Sequence, residues 1–577
     1  MATCYFNLER WGRRATVRVP EQIEQQLERR RTDDSAQQTA ETSHHKATLS
    51  TSTNALFPPL LAWPEPSGRS TLVYLGYRIV SFVLSLAFLA VVVLGALFTS
   101  IPLILAKIVG RILQRGIVAE VKRPFHDEEV RRREKRRKED EAWEQRKSRG
   151  ETAPDKEKAK EGEFTPTEGG PDPIVCDIGY YARRVGLDVE EFDVETEDGF
   201  IIALWHVYDP ADPCGSARKE GEGSAASAKP RSNQKPKFPV LLIHGLLQSA
   251  GAYCVNDDDS LAFYLCKAGY DVWLGNNRCG FAPRHKTLSY ADPRLWCWNI
   301  RHMGVMDLHG LTTTVLEKTG FAKLGLVCHS QGTTQTFVAL AKEQRPELGE
   351  KLTVFCALAP AAYAGPLIGK MYFKFMRVIS PPCSSSCLVF SFLFNWTDDR
   401  WERDLRDRMF QFAPVYVSAE TMSWWLGRHG FAKHKCILST KDIVRAEEKV
   451  DMELDGFAQG NREIAALGAA PESATLQRAV EVCRRKPRGA TAWYDDRAPP
   501  LPCGGREPFV RVVHSKVVPG YEHLDVIWAM DAVDQVFVEV REVLWKTCDV
   551  RDRCRVPVGV PSAECCLFDI YEERKTE

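Results

Sequence analysis

A stretch of 28 residues, 79–106, contains no Asp, Glu, Lys or Arg. A helix that crosses the hydrocarbon core of a bilayer needs roughly 20 consecutive apolar residues. A buried helix of a globular domain rarely extends for 28 residues without a charge. We therefore predict a membrane segment over residues 72–113, and its position behind a polar region at 1–70 does not fit a cleavable signal peptide.

The basic residues around this segment favour one orientation. Only Arg69 and Arg78 lie close before it, whereas Lys107, Arg111 and Arg115 lie at its end. Positive charge is enriched on the cytoplasmic side of membrane helices, so we expect the rest of the chain in the cytosol. Pro102 also permits a hairpin that returns to the same leaflet, as would suit a lipid droplet. A spanning helix in the endoplasmic reticulum and a hairpin at a lipid droplet both remain open.

Charge is distributed unevenly along the chain. The whole sequence carries 77 Lys+Arg and 77 Asp+Glu, and this balance argues against a dedicated nucleic-acid-binding protein. Residues 114–171 form a charge-dense region that we interpret as a linker. Its basic run at 131–138 either contacts anionic lipid headgroups or forms a solvated charged helix or linker.

The region from residue 238 onwards has the pattern of an α/β fold. Short apolar runs at 240–243, 270–274 and 324–328 alternate with helical patterns, as expected of buried parallel strands. A Gly-, Ser- and Lys-rich insert at 212–237 predicts a disordered surface loop. We assign residues 546–577 to a C-terminal tail.

Serine 330 stands between a predicted strand and a predicted helix, in the sequence Cys-His-Ser-Gln-Gly at 328–332. This is the context of a nucleophile elbow, although Cys328 replaces the usual first glycine. The His-Gly-Leu-Leu loop at 244–247 is placed to supply an oxyanion-binding amide from Leu246, opposite the amide of Gln331. The apolar run at 510–513 predicts a late strand, and His523 lies on the loop between it and a helix. A histidine there, after the serine in chain order, is the candidate general base.

Several longer blocks resemble the acid lipase and steryl ester hydrolase family of α/β-hydrolases, in particular its membrane-anchored fungal branch. The resemblance covers most of residues 172–545 and is carried by blocks at 172–173, 194–201, 244–247, 269–276, 318–320, 329–334 and 522–528. It implies an α/β-hydrolase fold with a helical cap at about 361–435. It also implies Ser330 as nucleophile, His523 as base and the Leu246 and Gln331 amides as oxyanion donors.

The implied function is hydrolysis of long-chain acyl esters of sterols or glycerol at a membrane or lipid-droplet surface. No cofactor or metal is implied, and the 18 cysteines include no paired CxxC motif with zinc-binding spacing. We identify no protein partner and expect no binding to nucleic acid.

One departure from the family pattern concerns the acid that orients the base. The expected segment of strand, aspartate and helix is replaced by a short Pro- and Gly-rich sequence at 498–508, and proline is a poor strand residue. Asp495, Asp496 and, less plausibly, Asp442 are the substitutes available. Loss of this acid lowers turnover by about 10⁴-fold in a serine triad. A catalytically impaired lipid-binding or scaffold protein is therefore one alternative function, and a serine thioesterase or acyltransferase is another.

Overall fold

The computed structural model describes residues 123–149, 164–212, 235–362, 397–426, 431 and 511–560, except 279, 281, 282, 291, 342 and 343, together with eight positions between 83 and 105. The insert at 212–237 and the cap at 361–435 therefore lie largely outside the described residues. The tail at 546–577 is described as far as residue 560.

The predicted membrane segment at 72–113 falls almost entirely outside the described residues. Its eight described positions are helical. None of the helices in the described part of the chain combines the length and apolar character needed to cross a bilayer. Membrane insertion therefore stays a prediction.

A mixed seven-stranded sheet is the centre of the described residues. Its strands are β1 (Asp188–Glu195), β2 (Phe200–Tyr208), β3 (Pro239–Ile243), β4 (Asp271–Gly275), β5 (Arg284–His285), β6 (Leu324–His329) and β7 (Leu352–Leu358). The order is β1-β2-β4-β3-β6-β7, and β5 pairs with β2. The β4-β3-β6-β7 half is parallel, whereas β1 and β2 are antiparallel. The three buried strands predicted from apolar runs are confirmed.

Helices connect and cover the strands. They are α1 (His126–Ser148), α2 (Ile178–Arg184), α3 (Leu261–Ala268), α4 (Ile300–His302), α5 (Leu308–Thr319), α6 (Gln331–Leu340), α7 (Arg406–Met409), α8 (Ala419–Leu426), α9 (Asp525–Trp528) and α10 (Val538–Thr547). Two π-helical stretches, Met303–Asp307 and Val533–Phe537, lead into α5 and α10. Short 3₁₀ turns lie at Ala250–Tyr253, Asp257–Asp259, Pro293–Trp296, Pro346–Lys351, Arg403–Leu405 and Arg551–Arg553.

The period-2 alternation of the strands divides the core into two apolar layers. In β3, Val240 and Leu242 face a layer that includes α3 and α10. Leu241 and Ile243 face the opposite layer, which includes α5 and α6. Because both faces are covered, the central strands read as continuous apolar runs. This is why they could be found in the sequence.

The strand predicted at 510–513 is not present in the described residues of that region. Residues 511–518 form no strand, and most of their side chains are exposed. Lys516 donates to the Gln535 carbonyl (2.8 Å), and His514 pairs with Glu539 Oε2 (2.6 Å). The segment therefore lies along the π-helical stretch and α10 and does not join an edge of the sheet. The prediction of a strand was wrong here.

Helix α1 lies in the region that we interpreted as a linker, and it docks on the α/β body (residues 164–560). Arg132 pairs with Asp259 (2.6 Å) and Arg136 pairs with the buried Glu402. Arg132 also donates to the Met530 carbonyl (3.2 Å). Of the alternatives left open for this basic run, the structure has a charged helix, but one of its faces pairs with carboxylates of the α/β body and not with solvent.

The opposite face of α1 is exposed and pairs mainly within the helix. Arg137 bonds Glu134 (2.7 Å) and Glu141, three and four residues away. Such i,i+3 and i,i+4 pairs support a polar helix in water. The basic run is thus divided between a docking face and a solvent face.

Candidate active site

Ser330 occupies a sharp turn between β6 and α6. Strand β6 ends at His329, and α6 begins at Gln331. The backbone of Ser330 has φ 52° and ψ −115°, a region that residues other than glycine rarely adopt. The same kind of strained strand-to-helix turn exposes the nucleophile of α/β-hydrolases. The structure therefore gives Ser330 the backbone that the sequence pattern predicts.

Two glycines make this turn possible. A Cβ atom added to Gly332 would lie 2.6 Å from the Ile243 carbonyl oxygen and 2.9 Å from that of His244. A Cβ atom on Gly245 would lie 3.0 Å from Ser330 Cβ. The first turn of α6 therefore packs directly against the end of β3 and the loop that follows it, with no space for a side chain at Gly332.

His523 meets the serine from the far end of the chain. Its Nε2 atom lies 2.7 Å from Ser330 Oγ. The two residues are 193 positions apart in the sequence. This distance is within the range for proton transfer between a nucleophile and a base. The two residues that the sequence singles out are brought together.

His523 is partly buried, and this position keeps it neutral at physiological pH. Loss of hydration lowers its pKa from 6.5 to about 4. A neutral imidazole has one nitrogen that carries hydrogen and one that accepts. With Nε2 directed at the serine hydroxyl, the accepting nitrogen can take the proton of that hydroxyl.

The candidate oxyanion donors lie beside the serine. Gln331 is buried at the first position of α6, directly after Ser330. Leu246 follows Gly245, so its loop passes against the serine side chain. The backbone N–H groups at a helix start and in a tight loop are the usual donors to a developing oxyanion.

A tryptophan in the described part of the cap is bonded to Gln331. Trp425 of α8 donates its indole N–H to Gln331 Oε1 (3.1 Å). The Gln331 side-chain amide also contacts Met303 Sδ (3.4 Å). Trp425 itself packs edge-on against Phe431. The family resemblance implies a cap at about 361–435, but it does not predict this contact.

The loop that carries His523 is also hydrogen-bonded to the described part of the cap. Asp525 accepts a hydrogen bond from the Glu522 amide (2.7 Å) and another from the Trp401 indole (2.8 Å). Burial raises the pKa of this carboxyl group. Asp525 therefore fixes the loop to Trp401, and sequence reasoning missed this role.

The candidate acid partners of the histidine lie outside the described residues. Asp442, Asp495 and Asp496 all fall there, as does the shortened segment at 498–508. Their roles stay predictions. In the described residues, no group of three His, Cys, Asp or Glu side chains could hold a metal ion.

Two sequence families match the chain. The family described as a partial alpha/beta-hydrolase lipase region matches residues 178–257, and the alpha/beta hydrolase fold matches residues 239–366. The second match includes the loop after β3, the turn at Ser330 and α6. These matches agree with the observed sheet and elbow.

Similar proteins include esterases and lipases. Sterol esterase 2 of Saccharomyces cerevisiae is 38% identical over 289 residues, which are 44% of this chain and 50% of that protein. Lysosomal acid lipase/cholesteryl ester hydrolase of Homo sapiens is 37% identical over 179 residues, 31% of this chain and 40% of that protein.

Gastric triacylglycerol lipase of Homo sapiens is 27% identical over a longer stretch of 416 residues, 66% of this chain and 93% of that protein. The chain spans half or less of the length of the other two relatives.

Proposed function

We propose a lipid-ester hydrolase function, from the premise that the chain belongs to the acid lipase and steryl ester hydrolase family of α/β-hydrolases. The observation that carries the proposal is the 2.7 Å contact between His523 Nε2 and Ser330 Oγ at a strained strand-to-helix turn. A serine and a neutral histidine in this arrangement are the minimum needed for acyl transfer.

The proposed reaction uses these groups in two steps. Ser330 Oγ attacks the ester carbonyl while His523 Nε2 takes its proton, and the backbone amides of Leu246 and Gln331 bind the negative oxygen of the tetrahedral intermediate. His523 then protonates the leaving alcohol, which leaves an acyl-serine. Water, activated by His523, hydrolyses this ester and regenerates the serine.

The substrates that we propose are long-chain acyl esters of sterols or glycerol. Two of the similar proteins are named as sterol or cholesteryl esterases and a third as a triacylglycerol lipase, which supports both alcohol classes. Apolar side chains beside the site support a long acyl chain. Trp424, Trp425 and Phe431 form one cluster with the core, and Leu246 and Met422 pack against it.

We further propose that residues 72–113 anchor the enzyme at the endoplasmic reticulum or a lipid droplet, with the α/β body in the cytosol. The charge-free run at 79–106 supports this proposal, as do the exposed apolar side chains of Leu94 and Phe98. An anchor would keep the enzyme at the interface where an insoluble ester accumulates. Carbonate extraction of membranes and of floated lipid droplets, with and without residues 72–113, tests this. Release of the full chain by carbonate would contradict it.

A fluorophosphonate probe tests the catalytic proposal. We expect the full-length chain to be labelled, and we expect Ser330→Ala to abolish labelling and lower ester turnover by about 10⁴- to 10⁶-fold. Ser148→Ala, at the exposed end of α1, is the matched control and should label like the wild type.

The same experiment separates the alternative functions. Steryl ester, triacylglycerol and thioester substrates are compared for the wild type and Ser330→Ala. Absence of labelling and of any difference between the two proteins would contradict the enzyme proposal and leave a lipid-binding or scaffold role. A clear preference for the thioester would instead indicate the thioesterase or acyltransferase alternative.

A further inference from the structure

We propose that His329 is a positioning residue that fixes the histidine loop against the nucleophile elbow. The inference rests on the proposed serine-hydrolase function and adds a role to a residue that the reaction does not use directly. His329 is the last residue of β6 and immediately precedes Ser330. Its side chain is buried, so its ring nitrogens can be satisfied only by protein groups.

The first contact joins His329 to the base. His329 Nε2 lies 3.0 Å from the backbone carbonyl oxygen of His523. Because a carbonyl oxygen only accepts hydrogen bonds, the hydrogen of this bond must be on His329 Nε2. The bond is made to the main chain of His523, whose ring faces Ser330. The two rings lie 5.0 Å apart between centroids.

The second contact reaches the candidate oxyanion loop. His329 Nδ1 lies 3.3 Å from Gln248 Oε1, and the same oxygen accepts a hydrogen bond from the Gly245 amide (3.2 Å). Gln248 is buried as well. One ring therefore touches both the loop that carries the base and the loop that contains Leu246, and the backbone of His329 continues into Ser330.

The two contacts are not equivalent, because the ring is neutral. Burial, together with the proximity of His523, lowers the pKa of His329 to about 3. A neutral ring with its hydrogen on Nε2 presents only a lone pair at Nδ1. The bond to the His523 carbonyl is therefore the one that His329 donates, and Gln248 Oε1 takes its hydrogen bond from the Gly245 amide instead of from His329.

Alignment of the reacting groups depends strongly on such a bond. A displacement of about 1 Å between a nucleophile and its base can lower turnover by about 10²-fold. Loss of the bond to the His523 carbonyl should therefore lower kcat more than KM, because Ser330 and the apolar cluster near the cap remain. An ordinary core histidine would affect only the amount of folded enzyme.

Three substitutions at residue 329 separate these roles. His329→Phe keeps the ring volume and removes both nitrogens. His329→Gln can place its amide N–H near the original Nε2, whereas the shorter His329→Asn can reach only the original Nδ1 position. The concentration of active sites is titrated with a fluorophosphonate, and kcat and KM are measured per titrated site with a long-chain p-nitrophenyl ester. Thermal unfolding is recorded for each variant.

We expect kcat per site to fall by about 10- to 100-fold in His329→Phe and His329→Asn, with KM within about two-fold of the wild type. His329→Gln should recover most of kcat. The control is His206→Phe, the same change at a buried histidine on β2, which pairs with Asp271 (2.7 Å). It should lower the melting temperature without changing kcat per titrated site.

Different results would overturn different statements. Unchanged kcat per site in His329→Phe, or rescue by Asn but not by Gln, would overturn the positioning role. If His329→Phe does not fold, the comparison of Gln with Asn still decides the question. A wild type that neither labels nor hydrolyses the ester would instead contradict the proposed function.

Discussion

The turn at Ser330 and the docking face of α1 are held in place by different forces. At the turn, backbone atoms approach so closely that Gly332 has no room for even a methyl group. At α1, long charged side chains such as Arg136 reach across to carboxylates such as Glu402. Steric exclusion is insensitive to salt and tolerates no substitution. Ion pairs weaken with ionic strength and can be exchanged for other charges. We therefore expect the turn to be very sensitive to substitution and the α1 interface to tolerate exchanges of charge.

The largest effect that we expect is at Gly332. In Gly332→Ala the new methyl group would meet two backbone carbonyl oxygens at 2.6 and 2.9 Å. Neither carbonyl can move without displacing β3 or its following loop. We expect a loss of at least about 3 kcal/mol in the free energy of unfolding, or no folded protein. Urea denaturation measures this.

The control for that substitution is Gly310→Ala on α5. Its new methyl group would meet only Val194 Cγ1, at 3.3 Å. Higher helix propensity offsets this contact by up to about 1 kcal/mol. A Gly332→Ala protein as stable as Gly310→Ala would show that the turn is not sterically closed.

Acidification should affect the turn next. Burial lowers the pKa of His244 and His523 to about 4 and that of His329 to about 3. Unfolded histidine titrates near 6.5, so the unfolded chain binds more protons between pH 6.5 and 4. The free energy of unfolding should therefore fall through this window as pH decreases, by about 2 kcal/mol per histidine at pH 5.

Urea denaturation at pH 7 and pH 5 tests this loss of stability. Burial also lowers the pKa of His302 to about 3 and that of His309 to about 4, whereas carboxylate partners raise the pKa of His206 to about 9. Repeating the two measurements with His244→Phe isolates one histidine of the turn, and an unchanged pH dependence in that variant would contradict the lowered pKa of His244.

A smaller effect is expected for the buried ion pair of α1. Glu402→Gln removes the charge that Arg136 and Arg132 face, and leaves both arginines partly buried. We expect a loss of about 1–3 kcal/mol and faster proteolysis within residues 123–149. The loss should decrease at high salt, where the wild-type pair is itself weakened.

The control here is Asp404→Asn, which breaks the more exposed pair with Arg133 (2.6 Å). It should have a smaller effect than Glu402→Gln. The double exchange Arg136→Glu with Glu402→Arg restores opposite charges at the two positions, so it should be more stable than Glu402→Gln and less stable than the wild type. Failure of the exchange together with insensitivity to salt would argue that shape, not charge, docks the helix.

The smallest effect is expected on the solvent face of α1. Arg137→Ala removes the exposed pairs with Glu134 and Glu141. Exposed pairs contribute little because water and salt screen them. The melting temperature should change by no more than about 1 °C, as measured by circular dichroism. A shift as large as that of Glu402→Gln would remove the distinction between the two faces.

The sequence predicts the turn at Ser330 well because its determinants are local. An apolar run, a Ser-x-Gly turn and a following helix occupy less than 20 residues. Because both faces of the sheet are covered, β3 and β6 are continuous apolar runs that can be recognised in the sequence. His523 is identified from its position after an apolar run and from its place after the serine in chain order. The first of these signals is misleading, because residues 511–518 form no strand.

The rest depends on partners far apart in the chain. The valines at 512 and 513 resemble a strand, but exposure and the contacts of His514 and Lys516 decide otherwise. The bond from Trp425 to Gln331 joins residues 94 positions apart. The local periodicity of a sequence cannot predict such a contact.

The docking of α1 also bears on the order of events during synthesis. Arg136 and Glu402 are 266 residues apart. At roughly 5–20 residues per second, the helix waits on the order of 10 to 50 seconds before its partner leaves the ribosome. During that interval its own i,i+3 and i,i+4 pairs and its high charge keep it hydrated. An apolar helix in the same place would expose an aggregation-prone surface throughout this interval. The composition of α1 therefore suits a segment that is synthesised early and docks late.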